Sequence, residues 1–152
     1  DAGSITGIYT VLVEGGDMDE PIADAVRAIA DGHIVLSRDL AARNHYPAID
    51  VLDSVSRVMS KVVPREHVIV ASHLRDLMAS YKDSEDLINV GAYAQGTNPK
   101  VDKAIVINND LLNLVQQRVE DQSNLDDVFD TMVEIARKGE TQVDPSFMAG
   151  QG

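Results

Sequence analysis

Residues 45–57 read HYPAIDVLDSVSR. Pro47 disfavours helical backbone in the residue before it and stiffens the turn. A polar SVSR ending then follows apolar-flanked PAIDVLD, the make-up of an ordered loop spanning residues 44–63. Two side chains on it are chemical candidates. Arg57 on an ordered loop can reach across a subunit boundary, where a planar guanidinium stabilises charge developing during phosphoryl transfer. The plainer alternative is a surface or helix-capping arginine. Tyr46, fixed by Pro47, can stack on a base face or serve as a half-buried packing residue.

Outward from this stretch, the chain divides near residue 64. On the N-terminal side, SITGIYTVLV (4–13) is β-branched and apolar on both faces, as a buried parallel strand would be. A buried strand needs neighbours on each side, so the chain is expected to begin inside a sheet. EGGDMDE (14–20) is a loop, with Asp19 as N-cap and Pro21 in the first turn of a helix carrying Ile22, Val26 and Ile29. Gly32 suits its C-terminal stop, His33–Ser37 a short strand, and Arg38–Arg43 a short helix. From Pro64 onward the pattern is helical. Val70, Leu74, Leu77 and Tyr81 form one stripe. Asp83 can start a short helix closed by Gly91. Asn98 and Pro99 open a helix with Val101, Ala104, Ile105, Leu111, Leu112 and Val115, which the NND at 108–110 is expected to interrupt. Asn124 caps a last helix with Leu125, Val128, Phe129, Met132 and Ile135, ended by Gly139. Residues 140–152 lack a period and read as a frayed tail.

Composition removes several function classes. A chain of 152 residues suffices for one domain with a sizeable core. Aromatics are 4% with no Trp, so that core is aliphatic. The net charge of −12 argues against a nucleic-acid surface, which needs clustered Lys and Arg. Its excess is spread evenly, with 10 acids against 4 bases in residues 1–60 and 15 against 9 beyond, so it reads as a solvated surface. There is no Cys, which excludes disulfides and thiolate metal sites. His67 and His73 are six apart, not the three or four that one helical face needs for a shared metal. Glu14, Asp17, Asp19 and Glu20 lack the spacing of a calcium loop. HExxH, GxSxG and GxGxxG are absent, as is the phosphate loop GxxxxGK followed by Ser or Thr.

Taken whole, GSITGIYTVLVEGGDMDEPIADAVRAIADGHIVLSRDLAARNHYPAIDVLDSVSRVM resembles the flagellar and type III secretion export ATPases, relatives of the catalytic subunits of rotary ATP synthases. The resemblance covers roughly residues 3–120. EPIADAVR, DGHIVLSR and the AYAQGTNP that follows Gly91 favour the export branch over the synthases. What the resemblance implies is an α/β plus α organisation: the C-terminal edge of a P-loop (RecA-like) parallel-sheet domain over 1–63, a small helical bundle over 64–139, and a flexible tail over 140–152. It implies a homohexameric ring with ATP and magnesium at each interface. Arg57 of SVSR would enter the neighbour's site as a trans arginine finger, and Tyr46 of YPA would contact adenine. Val119 of QQRV matches the place of a further adenine contact from the helical part.

The family's phosphate loop, catalytic glutamate and magnesium-binding acid have no counterpart in these residues. The expectation is therefore a C-terminal fragment, inactive by itself, whose unpaired strand 4–13 invites dimerisation. The implied partners are a stalk protein, the export gate and chaperone–cargo complexes, with the parent cytoplasmic and peripheral at the inner-membrane export apparatus. A stand-alone helical interaction module without catalysis, and the catalytic subunit of a vacuolar or synthase-type rotary ATPase, are the competing readings.

Overall fold

The computed structural model describes residue 3 and residues 5–141. Residues 5–13 carry no strand, and Ile5, Ile8, Tyr9 and Leu12 are exposed. This corrects the strand expected over 4–13, of which residue 4 lies outside the described residues. No described strand lies beside it, and a lone strand can neither bury its faces nor pair its amides. The pairing edge expected to drive dimerisation is therefore not formed.

A 3-10 turn at Glu14–Gly16 leads into α1, Pro21–Ile29. Pro21 opens it as expected, but Glu20 precedes it as cap with no side-chain cap bond. Asp19 is not the cap; its amide donates to Asp17 Oδ1 at 3.0 Å. Gly32 does not stop α1 but starts β1, Gly32–Leu36. A Cβ there would lie 2.7 Å from the Val55 carbonyl oxygen, so glycine lets the next strand approach. Ser37 then caps α2, Arg38–Ala42, its Oγ accepting from the Leu40 amide at 3.4 Å.

The expected loop 44–63 holds β2, Ile49–Ser56, and the short α3, Met59–Val62. β1 and β2 pair antiparallel, Leu36 with Ile49 and Gly32 with Ser56, around an irregularity between His33 and Val35. The polar residues that obscure the strand in the sequence build this bulge. Asp50 Oδ1 accepts from the amides of Leu52 and Asp53 at 2.9 and 3.1 Å. Ser54 Oγ donates to the Asp50 carbonyl at 2.6 Å and accepts from the Val35 amide at 3.0 Å.

The helical part is three long helices: α4, Arg65–Asn89; α5, Pro99–Val115; and α6, Leu125–Thr141. Leu74 and Leu77 of α4, Ala104, Ile107 and Leu111 of α5, and Ile135 of α6 form the core, with Val70, Tyr81 and Met132 packed against it. The α4 stripe read from the sequence is thus the buried one. α4 does not break at Asp83; Lys82 and Glu85 lie on its outer face, paired with Asp50 and Arg43, and Gly91 just beyond its end has a φ of 70°. The NND of α5 does not interrupt it, because Ile107 and Leu111 on either side are buried and Asp110 pairs with Lys138 at 2.6 Å. Gly139 does not end α6. It is buried inside the helix, where a Cβ would meet Ile107 Cγ2 at 3.3 Å. Residues 140 and 141 belong to α6, and the rest of the expected tail, 142–152, lies outside the described residues.

The connection between α4 and α5 closes on a buried carboxylate. Asp102 Oδ1 accepts from the Tyr93 hydroxyl at 3.0 Å and Oδ2 from the Gly96 amide at 2.9 Å. Loss of solvent and the bond to Asp102 raise the Tyr93 phenol above its ordinary 10.0, against a smaller opposing effect of the Asn98 backbone. A folded-state value above the unfolded one means that this contribution is complete below pH 10.0 and is lost as pH climbs through the raised value. Phenolate absorbance should therefore show one late-titrating tyrosine that Tyr93→Phe removes; identical titration of the two proteins would refute the assignment.

Candidate functional site

α2 ends in a Schellman turn. The Asn44 amide donates to the Ala41 carbonyl at 3.0 Å and the His45 amide to the Leu40 carbonyl at 2.9 Å. Asn44 takes the left-handed conformation, with φ 59°, that this turn demands and that asparagine tolerates. The reversal sends His45 inward, where it is buried, and leaves Tyr46 54% exposed just before β2.

The segment after α5 fastens this turn. The Gln117 amide donates to the Tyr46 carbonyl at 3.0 Å. Gln116 Nε2 and His45 Nδ1 lie 2.9 Å apart. With the amide nitrogen donating, the ring accepts through Nδ1 and carries its proton on Nε2, a buried atom with no partner among the described residues. Tyr46 is thus brought together with QQRV, of which Gln117 bonds Tyr46 itself and Gln116 the adjacent His45. Val119 is 99% exposed and fixed by no contact of its own side chain. His45 and Gln116 are site-building residues that the sequence reading did not identify as such. The only hint was a histidine beside YP.

Arg57 stands at the other end of β2. Its amide donates to the Asp31 carbonyl at 2.8 Å, and its Nη2 to the Arg27 carbonyl of α1 at 3.0 Å. The side chain is exposed and forms no ion pair among the described residues. Ser56 Oγ accepts from the Met59 amide at 3.1 Å, turning the chain into α3 immediately afterwards. The exposure of Arg57, and its bond to a carbonyl in the last turn of α1, are also what the alternative of a surface or helix-capping arginine expects. β2 thus separates Tyr46, which precedes Ile49, from Arg57, which follows Ser56.

For magnesium the fit is poor. Among the described residues no group of three or more His, Asp or Glu could hold an ion.

Residues 1–56 match the model of the ATP synthase alpha/beta family, nucleotide-binding domain, and residues 63–134 that of the T3SS EscN ATPase C-terminal domain. The chain is 47% identical over 125 residues to the flagellum-specific ATP synthase of Bacillus subtilis (strain 168), a match covering 82% of this chain and 28% of the relative. It is also similar to the solved structure of the assembled ATPase EscN from the enteropathogenic E. coli type III secretion system. There the TM-score is 0.84 and the identity 46%, over 88% of this chain and 32% of that one. EscN in complex with its central stalk EscO matches with a TM-score of 0.79 and 45% identity, over 88% of this chain and 31% of that one. The chain therefore spans under a third of the length of these relatives.

Proposed function

The chain belongs to the family of flagellar and type III secretion ATPases, and from that premise we propose that it is the C-terminal portion of an export ATPase whose intact ring hydrolyses ATP with magnesium to drive protein export. Residues 1–63 complete the RecA-like catalytic domain and 64–139 form its helical domain, a division supported by the change of matching family model between residues 56 and 63. Export rather than ATP synthesis is favoured by the second of those models, which describes a secretion ATPase.

The observation that carries the reading is the placement of Tyr46 and Arg57 at opposite ends of β2, both exposed. Tyr46 receives the adenine of its own subunit's nucleotide. Arg57 reaches the phosphates held by the neighbouring protomer of a homohexamer. Val119 flanks the adenine, a reading supported by the Gln117–Tyr46 bond two residues before it. The phosphate loop, the catalytic glutamate and the magnesium ligand come from the remainder of the parent. The helical bundle faces a stalk protein, as the EscN structure solved with its central stalk suggests by analogy, and the export gate and chaperone–cargo complexes engage the same ring at the membrane.

The test is made on the full-length ATPase. Base–aromatic stacking contributes roughly 1–3 kcal/mol where it has been measured, so Tyr46→Ala should raise KM for ATP by about 10- to 100-fold while Tyr46→Phe leaves it nearly unchanged. An unaltered KM in Tyr46→Ala would remove the adenine role.

A further inference from the structure

The bulge in β2 is gripped from outside the sheet. Arg75, half-buried on α4, donates from Nη1 to the Ser54 carbonyl and from Nη2 to the Leu52 carbonyl, both at 3.0 Å. Its partners are therefore two backbone oxygens. It is absent from the ion pairs among the described residues, although the chain carries a net charge of −12. A charge that could have been matched with a carboxylate instead makes a two-pronged, geometry-fixing contact.

We propose that Arg75 is a positioning residue for Arg57, setting the strand that presents it and joining the helical bundle to the trans site; this rests on the reading of Arg57 given above. The mechanical path is short. Only Val55 and Ser56 separate Ser54 from Arg57, and both are clamped in the ladder, Val55 to His33 and Ser56 to Gly32. The Arg57 amide continues it to Asp31. A shift of the bulge relative to α4 is thus delivered to Arg57 with little slack. The internal bonds of Asp50 and Ser54 preserve the shape of the bulge but do not attach it to α4. The other tie from that helix, Lys82 to Asp50 at 3.5 Å, involves a mostly exposed amine, and such pairs contribute little. Lysine cannot replace Arg75, because a point-like ammonium does not span two carbonyls as the planar fork does.

The experiment uses the full-length ATPase with Arg75→Ala, Arg75→Lys, Arg57→Ala and the double substitution of Arg57 and Arg75 by alanine. A small misplacement of a catalytic group can cost about 10²-fold. Both single variants at 75 should therefore lose about 10- to 100-fold in kcat with KM for ATP within about twofold, Arg75→Lys being the informative one if Arg75→Ala does not fold. The double variant should be no slower than Arg57→Ala alone, since two residues acting through one group are non-additive. Losses that multiply, or an unchanged kcat in folded Arg75→Lys, would overturn the proposal. Should Arg57→Ala itself retain full turnover, the reading of Arg57 fails and amide exchange decides the positioning separately. Faster exchange at Val55–Arg57 in Arg75→Lys, with α5 unaltered, supports it, and unaltered exchange there overturns it.

Discussion

Alanine at position 57 of the full-length ATPase is expected to lower ATP turnover by about 10³- to 10⁵-fold, with nucleotide still bound. Binding should survive because the base site proposed around Tyr46 and Gln117 lies at the other end of β2. Turnover falls because charge on the transferring phosphoryl group develops in the transition state, and a preorganised cation there acts on that state more than on the ground state. Arg57 is exposed and only partly engaged by its surroundings. One nitrogen rests on the Arg27 carbonyl at 3.0 Å, while no carboxylate among the described residues neutralises the group. Lysine should restore only a small part of the rate, because it lacks the fork that addresses two phosphate oxygens. The trans assignment has its own signature. In rings mixed from Arg57→Ala subunits and subunits with an inactivated phosphate loop, active sites should reappear at interfaces that pair an intact finger with an intact loop. Single-turnover rates within tenfold of the unmodified enzyme, or no recovery on mixing, would refute the role.

The sequence disclosed the helical part far better than the sheet. Leu74 and Leu77, at helical spacing between Val70 and Tyr81, needed only periodicity to be recognised. Asn98 and Asn124 carried their capping roles openly, accepting from the amides of Lys100 and Asp126 at 3.0 and 2.9 Å. Glycine punctuation misled at the end of α6. Gly139 reads as a stop because glycine often is one; packing against Ile107 is a three-dimensional reason that no local pattern contains. β2 was hidden because Asp50, Asp53 and Ser54 are poor strand residues, and their use as bulge-builders depends on the Val35 amide in another strand. At the candidate site, Tyr46 and Arg57 are singled out by the family motif alone. Arg75 is not, since its partners are backbone oxygens of a strand that the pattern did not disclose. His45 and Gln116 are 71 positions apart, a separation across which no spacing rule operates.

The same dependence of site on bundle makes Ile107 the position where truncation should do the most damage to stability. It is 0% exposed, sits in the middle of α5, and packs against Gly139 of α6, which lacks a side chain where they meet. Alanine there removes three carbons and leaves a void that neither helix can close easily. α6 already lies close at Gly139, where a Cβ would meet Ile107 Cγ2 at 3.3 Å, and Leu77 of α4 is itself fully buried. Such substitutions cost about 2–5 kcal/mol, a large share of the roughly 5–15 kcal/mol that holds a domain folded. Ile105, two residues earlier and 38% exposed, is the matched control; its replacement by alanine should cost well under half as much. The functional consequence follows the anchoring. Gln116 and Gln117 leave the end of α5 to hold the Tyr46 turn, and Arg75 leaves α4 to hold β2. Loosening the bundle should therefore raise KM for ATP and lower kcat at temperatures below the melting transition, before the catalytic domain itself unfolds. Thermal denaturation with parallel kinetics of Ile107→Ala and Ile105→Ala checks both parts. Equal melting temperatures for the two variants would refute the packing argument. Unchanged kinetics in a markedly destabilised Ile107→Ala would show that the nucleotide site does not depend on the bundle.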